Sequence, residues 1–226
     1  EAEPVIYFPA QLDWRGRVYP LPLFLSPQGR DAERACLHFA EAKAVGGDGG
    51  EWLAIHGGNC WGLDKEAFSV RVAWVLDNEE LIRGVYADPL TDRRWAGAEH
   101  PFEFLAFVME WVPFLDSDCD PAFESRLPIS MDGSCNGLQH FSAMLRDERG
   151  GAAVNLVPGL PRQDIYGEVA AVVAAKVAAA SDADLMGGQI RDEWLASGLL
   201  GRAIVKRQVM TSPYGATPVG MMWQLV

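Results

Sequence analysis

The chain has 226 residues, 49% of them hydrophobic and 22% charged, with a formal net charge of −12. This length and balance suit one large domain or two small ones with a buried core, and they exclude intrinsic disorder. The acidic total argues against nucleic-acid binding as a bulk property, yet the bases are clustered. Arg191, Arg202, Lys206 and Arg207 fall in one segment, and Arg15 and Arg17 in another.

Residues Glu1 to Pro4 show no basic start followed by an apolar run, so no signal peptide is expected. The longest mostly apolar stretch, Val169 to Ala180, is interrupted by Lys176 and is too short to span a bilayer, so no membrane partner is expected. The chain lacks an initiator Met and ends on an apolar run, Gly220 to Val226, in mid-pattern. An internal piece of a longer protein is the expectation. Cys36, Cys60, Cys119 and Cys135 are widely spaced with no CxxC pair, which predicts reduced thiols in a cytosolic protein and no zinc site.

In chain order, residues 5 to 25 are apolar and punctuated by Pro, which predicts short strands and turns. Gly46 to Gly50 is a flexible joint. Glu51 to Cys60 and Val70 to Tyr86 carry apolar residues at helical spacing, and Asp88-Pro89 ends the second of these helices. Pro101 opens a buried helix, FEFLAFVMEWV. Leu127 to Met131 is short, apolar and partly β-branched, which predicts a strand. Asp132-Gly133 turns the chain, and Ser134 is the expected cap of a helix with Leu138, Phe141 and Leu145 on one face. Asp164 is the expected cap of the helix IYGEVAAVVAAKVAAA. Gly187-Gly188 precedes QIRDEWLAS, Gly198 and Gly201 break the chain again, and a helix is predicted from about Arg202 to Thr211. Pro213 ends or kinks it. Helices dominate a few strands, so the expected fold class is α+β.

The segment RAIVKRQVMTSPYG carries the strongest chemical signal. Arg202 and Lys206 are four apart and share a helix face, and Tyr214 lies just past the helix end. A triphosphate needs cations along one side and a flat group under its base or sugar. By itself an Arg/Lys face is more often a solvated surface. The support comes from DGSCNGLQHFSAM, where Asp132 at a strand end can hold a divalent metal with the Gly133 carbonyl beside it; alone, Asp-Gly is more often a turn.

Together these segments resemble the single-subunit, phage and mitochondrial type of DNA-directed RNA polymerase. The likeness continues through DWRGRVYP (Asp13 to Pro20), IHGGNCWGLDK (Ile55 to Lys65), SAMLRDERGGAAVNL (Ser142 to Leu156) and QDIYG (Gln163 to Gly167), in order along nearly the whole chain. The resemblance implies a right-hand polymerase fragment with a small antiparallel sheet. Residues 1–147 would be part of the palm with a helical insertion, and 148–226 the start of the fingers. It implies that Asp132 is the first metal-binding aspartate and that Lys206 contacts the phosphates and protonates the leaving pyrophosphate. Arg202 then contacts the triphosphate, Tyr214 helps select ribonucleotides, and Tyr166 lies near nucleotide and metals. Trp14, Arg15 and Arg17 line the hybrid, and Gly215 follows Tyr214 at the nucleic acid.

The implied cofactor is Mg²⁺, two ions roughly 4 Å apart that clamp the attacking and leaving oxygens while the protein positions groups and neutralises charge. Implied partners are double-stranded promoter and template DNA, the RNA transcript and NTPs. The enzyme would act as a monomer in the cytoplasm, of a host cell if phage-encoded, rather than in mitochondria. The family's second palm aspartate sits in a His-Asp-Ser motif that these 226 residues do not contain, so the piece alone is expected to be inactive. The sequence departs from the family in Ser212-Pro213 before Tyr214, and in the short Gly-rich stretch Asp182 to Gln189, which suggests a trimmed fingers loop.

Family A DNA polymerases share the Arg, Lys, Tyr-Gly pattern but carry a glutamate five residues after the aspartate, where its bulk blocks a ribose 2′-hydroxyl. Here that place is Gly137, so RNA is the expected product; the other reading is that Gly137 relieves packing in its helix. A family A-like DNA polymerase fragment and a non-catalytic nucleic-acid-binding remnant are the competing functions. His38, His56 and His100 are expected to be structural or surface residues, and His140 either packs or approaches the site. Asp116, Asp118 and Asp120 read as a solvated loop, because the Gly and Glu of a calcium loop are misplaced.

Overall fold

The computed structural model describes residues 5–14, 16–158, 162–181 and 188–225. It divides the chain into two compact units, Glu1–Met131 and Asp132–Val226. Helices dominate the described residues, and two small antiparallel two-stranded sheets accompany them, as an α+β class requires.

The first unit opens on a hairpin, β1 (Ala10–Leu12) paired with β2 (Val18–Pro20) in the register Gln11 to Tyr19. Asp13 ties the turn. Its backbone carbonyl accepts from Gly16 N–H at 2.9 Å, and its carboxylate from Arg17 N–H at 3.0 Å. Gly16 has φ +77, a conformation that favours glycine. A short helix α1 (Asp31–Ala35) and a strand β3 (Lys43–Ala44) follow. Strand β3 pairs with β4 (Glu124–Ser125).

The core of this unit is built on α5 (Pro101–Asp116), whose Pro lies in the first turn as expected. Its free N-terminal amides are capped from elsewhere in the chain. Asp31 accepts from Phe102 N–H and Glu103 N–H at 2.9 and 3.0 Å, which satisfies two groups every helix start leaves open. Phe104, Phe107, Trp111 and Phe114 run along the helix with neighbouring ring centroids 5.5–5.7 Å apart.

Helix α2 (Gly49–Gly58) packs against this aromatic ridge through its small residues. A Cβ on Gly57 would sit 2.3 Å from Phe107 Cζ, and one on Gly50 would sit 2.7 Å from Phe114 Cζ. The π-helical turn Asn59–Leu63 continues α2. Buried Arg71 holds the loop beyond it by donating to Asn59 Oδ1 at 2.6 Å and to the Asp64 and Glu66 carbonyls at 2.8 and 2.7 Å. The Ile55–Lys65 motif is therefore a packing and loop-bracing element.

The spacing over Val70 to Tyr86 predicted one helix, but there are two, α3 (Phe68–Asp77) and α4 (Glu79–Ala87). Asn78 breaks the pattern. Its side-chain amide donates to the Trp74 carbonyl at 2.8 Å, giving the backbone an alternative to helix continuation. The expected strand Leu127–Met131 is also absent. Pro128 cannot donate to a ladder, and the pairing with β3 falls instead on Glu124–Ser125.

All four cysteines are free. Asp31, His100 and Glu103 bring ligand-type atoms within 4.8 Å of one another, but Asp31 is committed to the α5 cap and Glu103 to an ion pair with Arg34. No described helix is long and apolar enough to cross a membrane.

His56 is buried in α2 with Cys60 Sγ 3.6 Å from its Nε2. Burial, helped by the charge of Arg34, lowers its pKa from 6.5 to about 4. The folded state thus holds His56 neutral, while the unfolded chain takes up a proton below pH 6.5. The stabilisation is full above pH 6.5 and is lost as pH falls toward 4, a difference of about 3 kcal/mol. In urea unfolding at pH 7 and 4.5, a His56→Gln variant is expected to lose less stability on acidification than the parent chain, by about that amount. Equal acid sensitivity in the two proteins counts against a buried neutral His56.

Candidate active site

The second unit is assembled from six helices among the described residues. They are α6 (Asn136–Leu145), α7 (Glu148–Ala153), α8 (Ile165–Ala179), α9 (Gln189–Ser197), α10 (Arg202–Thr211) and α11 (Pro218–Trp223), with a 3₁₀ turn at Ser212–Tyr214. Helix α10 matches the expected bounds. It packs on α8 and α6, and the turn behind it packs on α6. The common core is small. Cys135, Val154 and Tyr166 are buried, with Leu138, Ile165 and Val209 against them.

Helix α6 does not begin as expected. Ser134 does not cap it; the N-cap is Cys135, in a left-handed conformation with φ 58 and no capping side chain. Left-handed backbone costs a residue other than Gly or Asn of order 1–3 kcal/mol, and burial of the Cys135 side chain against Tyr166 offsets it. Leu138, Phe141 and Leu145 do share a face, which lines a cavity of about 370 Å³ with Val154 and Ile165.

Asp132 lies in the exposed, irregular segment before α6. One carboxylate oxygen accepts from Gly133 N–H at 2.8 Å. Around Gly133 the side-chain oxygens converge. A Cβ there would meet Asn136 Oδ1 at 2.2 Å and Gln139 Oε1 at 2.7 Å. Gln139 is oriented by its own amide, which donates to the Val154 carbonyl at 2.8 Å and leaves Oε1 facing the glycine. Carboxylate and amide oxygens are of the kind a hard divalent cation takes, and Asp132 with the oxygens around Gly133 supplies them around one loop.

Arg202 and Tyr166 meet directly. The guanidinium carbon lies 5.1 Å from the Tyr166 ring centroid, and Arg202 Nε donates to the Asp164 carboxylate at 2.9 Å. Asp164 was the expected cap of α8. It occupies the N-cap position, but its side chain makes no capping bond and turns to Arg202. Both partners are nearly half exposed, so the ion pair contributes at most about 1 kcal/mol and serves mainly to aim the guanidinium. Burial, followed by a hydrogen bond with the Cys135 side chain, pushes the Tyr166 hydroxyl up to about 12. Tyr166 therefore stays protonated at neutral pH.

Lys206 is exposed one turn beyond Arg202 and has no ion pair among the described residues, while Val205 beside it is buried. Tyr214 closes the 3₁₀ turn and is 58% exposed, and Gly215 after it has φ +82. Gly137 links this turn to α6. A Cβ on residue 137 would lie 2.8 Å from Pro213 Cβ and 3.2 Å from Tyr214 Cζ. The bare Cα is thus a packing requirement of this chain, and Pro213 is part of the contact.

Trp14 and Arg17 lie at the tip of the β1–β2 hairpin in the first unit, and Trp14 is 92% exposed. Arg15 and most of the Asp182–Gln189 stretch lie outside the described residues. Sequence reasoning missed Asn155, Gln139 and the Asp164–Arg202 pair. Only Asn155 had a signal, since Asn is tolerated in left-handed positions and this one has φ 60.

Gly137→Ala is expected to lower stability by about 1–3 kcal/mol through overpacking against Pro213 and Tyr214. Pairing it with Pro213→Gly, which removes the Cβ that would be struck, should recover part of the loss. Denaturant midpoints of the single and double variants measure this, and additive losses would show that the two residues do not share a contact.

The family model described as DNA-dependent RNA polymerase matches residues 43–226. The chain is 40% identical to T7 RNA polymerase of Escherichia phage T7, over 98% of this chain and 27% of that protein. It is 40% identical to the DNA-directed RNA polymerase of Enterobacteria phage K11, over 93% of this chain and 25% of the relative. It is also 40% identical to the mitochondrial DNA-directed RNA polymerase of Homo sapiens, over 98% of this chain and 18% of the relative. The chain therefore spans about a quarter of the phage relatives' length and less of the mitochondrial one. With an oxygen-lined aspartate loop and a cationic helix in one compact unit, and with these likenesses along its length, the chain belongs to the DNA-dependent RNA polymerase family, in its single-subunit phage and mitochondrial branch.

Proposed function

We propose that this chain is the part of a DNA-directed RNA polymerase that binds the incoming ribonucleoside triphosphate and one of the two catalytic Mg²⁺ ions. The observation that carries the reading lies within the second unit. An exposed aspartate beside a cradle of oxygens belongs to the same packed assembly as a helix that presents Arg202 and Lys206, the latter without an ion pair among the described residues.

In this reading Asp132 and the Gly133 carbonyl hold metal. When bound, Mg²⁺ lowers the pKa of the attacking hydroxyl and neutralises charge on the phosphates. Arg202, aimed by Asp164 and stacked on Tyr166, binds the triphosphate. Lys206 contacts the phosphates and donates a proton to the leaving pyrophosphate. Tyr214 lies under the nucleotide, and Gly137 leaves the sugar side open while admitting Pro213 and Tyr214 at close range. Trp14, Arg15, Arg17 and Gly215 contact nucleic acid, with Trp14 offering a face on which a base can stack.

The functional division assigns residues 1–147 to the palm and 148–226 to the fingers; it differs from the two compact units, whose boundary is at Met131. Template and promoter DNA, the RNA product and NTPs are the proposed partners of the complete enzyme, acting as a monomer in the cytoplasm of a host cell.

The test is promoter-dependent transcription with Mg²⁺ by the full reading frame that contains this sequence, beside an Asp132→Ala control. Incorporation by the parent enzyme and none by the control is expected; equal incorporation by both would remove Asp132 from the chemistry. Lys206→Leu is expected to slow incorporation about 100-fold or more while DNA affinity changes little, because a positioned acid acts in the transition state. Equal losses in both would reduce Lys206 to a phosphate tether. Tyr214→Phe should keep polymerisation and raise deoxynucleotide use roughly tenfold or more, since a lost hydroxyl weakens polar recognition. Primer extension with mixed nucleotides measures the ratio, and an unchanged ratio would exclude that role.

A further inference from the structure

Asn155 joins the two halves of the candidate site. Its side-chain amide donates to Ser134 Oγ at 2.9 Å and to the Gln163 carbonyl at 2.9 Å, and its Oδ1 accepts from Gln163 N–H at 2.7 Å. Engaging both backbone groups of Gln163 fixes which end of the amide is oxygen. Ser134 is two residues after Asp132 and adjoins the Gly133 carbonyl. Gln163 immediately precedes Asp164, which holds Arg202, and is three residues before Tyr166.

The Asp132–Ser134 segment belongs to no helix or strand and is largely exposed. A loop of that kind keeps a fixed position only through specific bonds. Asn155 can reach both segments because it lies just after α7 in a left-handed conformation, φ 60.

We propose that Asn155 is a positioning residue that sets the metal-binding Asp132–Gly133 loop against the Asp164–Arg202–Tyr166 cluster. The proposal rests on the polymerase reading above for what the site does, and on the three hydrogen bonds for the positioning itself. Asn155 does not touch metal or nucleotide; it acts through Ser134 and Gln163.

The test uses the full polymerase reading frame with three substitutions. Asn155→Gly keeps the backbone conformation and deletes the bridge. Asn155→Asp keeps the acceptor for Gln163 N–H and loses both donors. Ser134→Ala removes the loop's end of one bond. Two quantities are read, Mn²⁺ binding by electron paramagnetic resonance and the kcat and KM for NTP incorporation.

Asn155→Gly is expected to weaken Mn²⁺ binding at least fivefold and to lower kcat at least tenfold. Ser134→Ala should fall between it and the parent, and the Ser134→Ala/Asn155→Gly double variant should be no worse than Asn155→Gly alone. Should Asn155→Gly fail to fold, Asn155→Asp and Ser134→Ala decide the matter by the same two readings. Unchanged Mn²⁺ affinity and kcat in the folded variants would overturn the proposal, as would additive losses in the double variant. A parent protein that binds Mn²⁺ but incorporates no nucleotide would sink the polymerase reading, while the Mn²⁺ series would still decide the role of Asn155.

Discussion

In the second unit, the irregular loop that carries Asp132 leads into α6, the helix against which the cationic helix α10 packs. Like-charged groups on α10 gain nothing from each other, and exposed Asp132 gains little from its own Gly133 N–H. What holds the arrangement is a modest apolar cluster, Cys135, Val154 and Tyr166 with Leu138, Ile165 and Val209. Three of these residues lie close to proposed site positions. Cys135 is three residues past Asp132, Tyr166 lies under Arg202, and Val209 is three residues past Lys206. A change in packing in this cluster therefore also moves the segments that carry the proposed site residues.

Two close approaches make the packing possible. Gly137 lets α6 meet Pro213 and Tyr214 without a side chain between them, and the glycines of α2 let that helix settle onto the aromatic ridge of α5 in the first unit. Both follow from steric volume: helices approach closely only where one of them offers no Cβ. The Gly137 contact bears on a choice that the sequence left open. Packing relief and an open sugar site were alternatives there; the structure shows the packing contact, made by Pro213 and Tyr214, and the open sugar site belongs to the proposed function.

Polar groups then trim what packing leaves loose. Asp31 caps a helix seventy residues away in sequence, Arg71 braces the loop after α2, and Asp164, still at the N-cap position of α8, turns its side chain to aim Arg202. In each case a short side chain or a guanidinium fork satisfies backbone or charged groups that water would otherwise have to solvate. Asp164 is the informative exception to the capping rule. A local bond to its own helix was available, and a surface ion pair with a cation on another helix is made instead.

Much of this molecule was legible before any fold was known. The bounds of α8, α9 and α10 followed from apolar spacing and flanking Gly and Pro, because those signals are local and operate within one or two turns. The reading of Asp132, Arg202, Lys206 and Tyr214 as the chemical positions came from long motifs and stands as a proposal, while the family match over residues 43–226 shows the family of the chain as a whole. What the chain could not disclose locally was how non-neighbours compete. Asn78 split a helix by bonding back to Trp74, Pro128 removed a strand, and Cys135 in place of Ser134 began α6. The Asn155 bridge joins residues eight and twenty-one positions away. Periodicity reports which face of a segment is buried; only the folded chain decides which distant donor finds which acceptor.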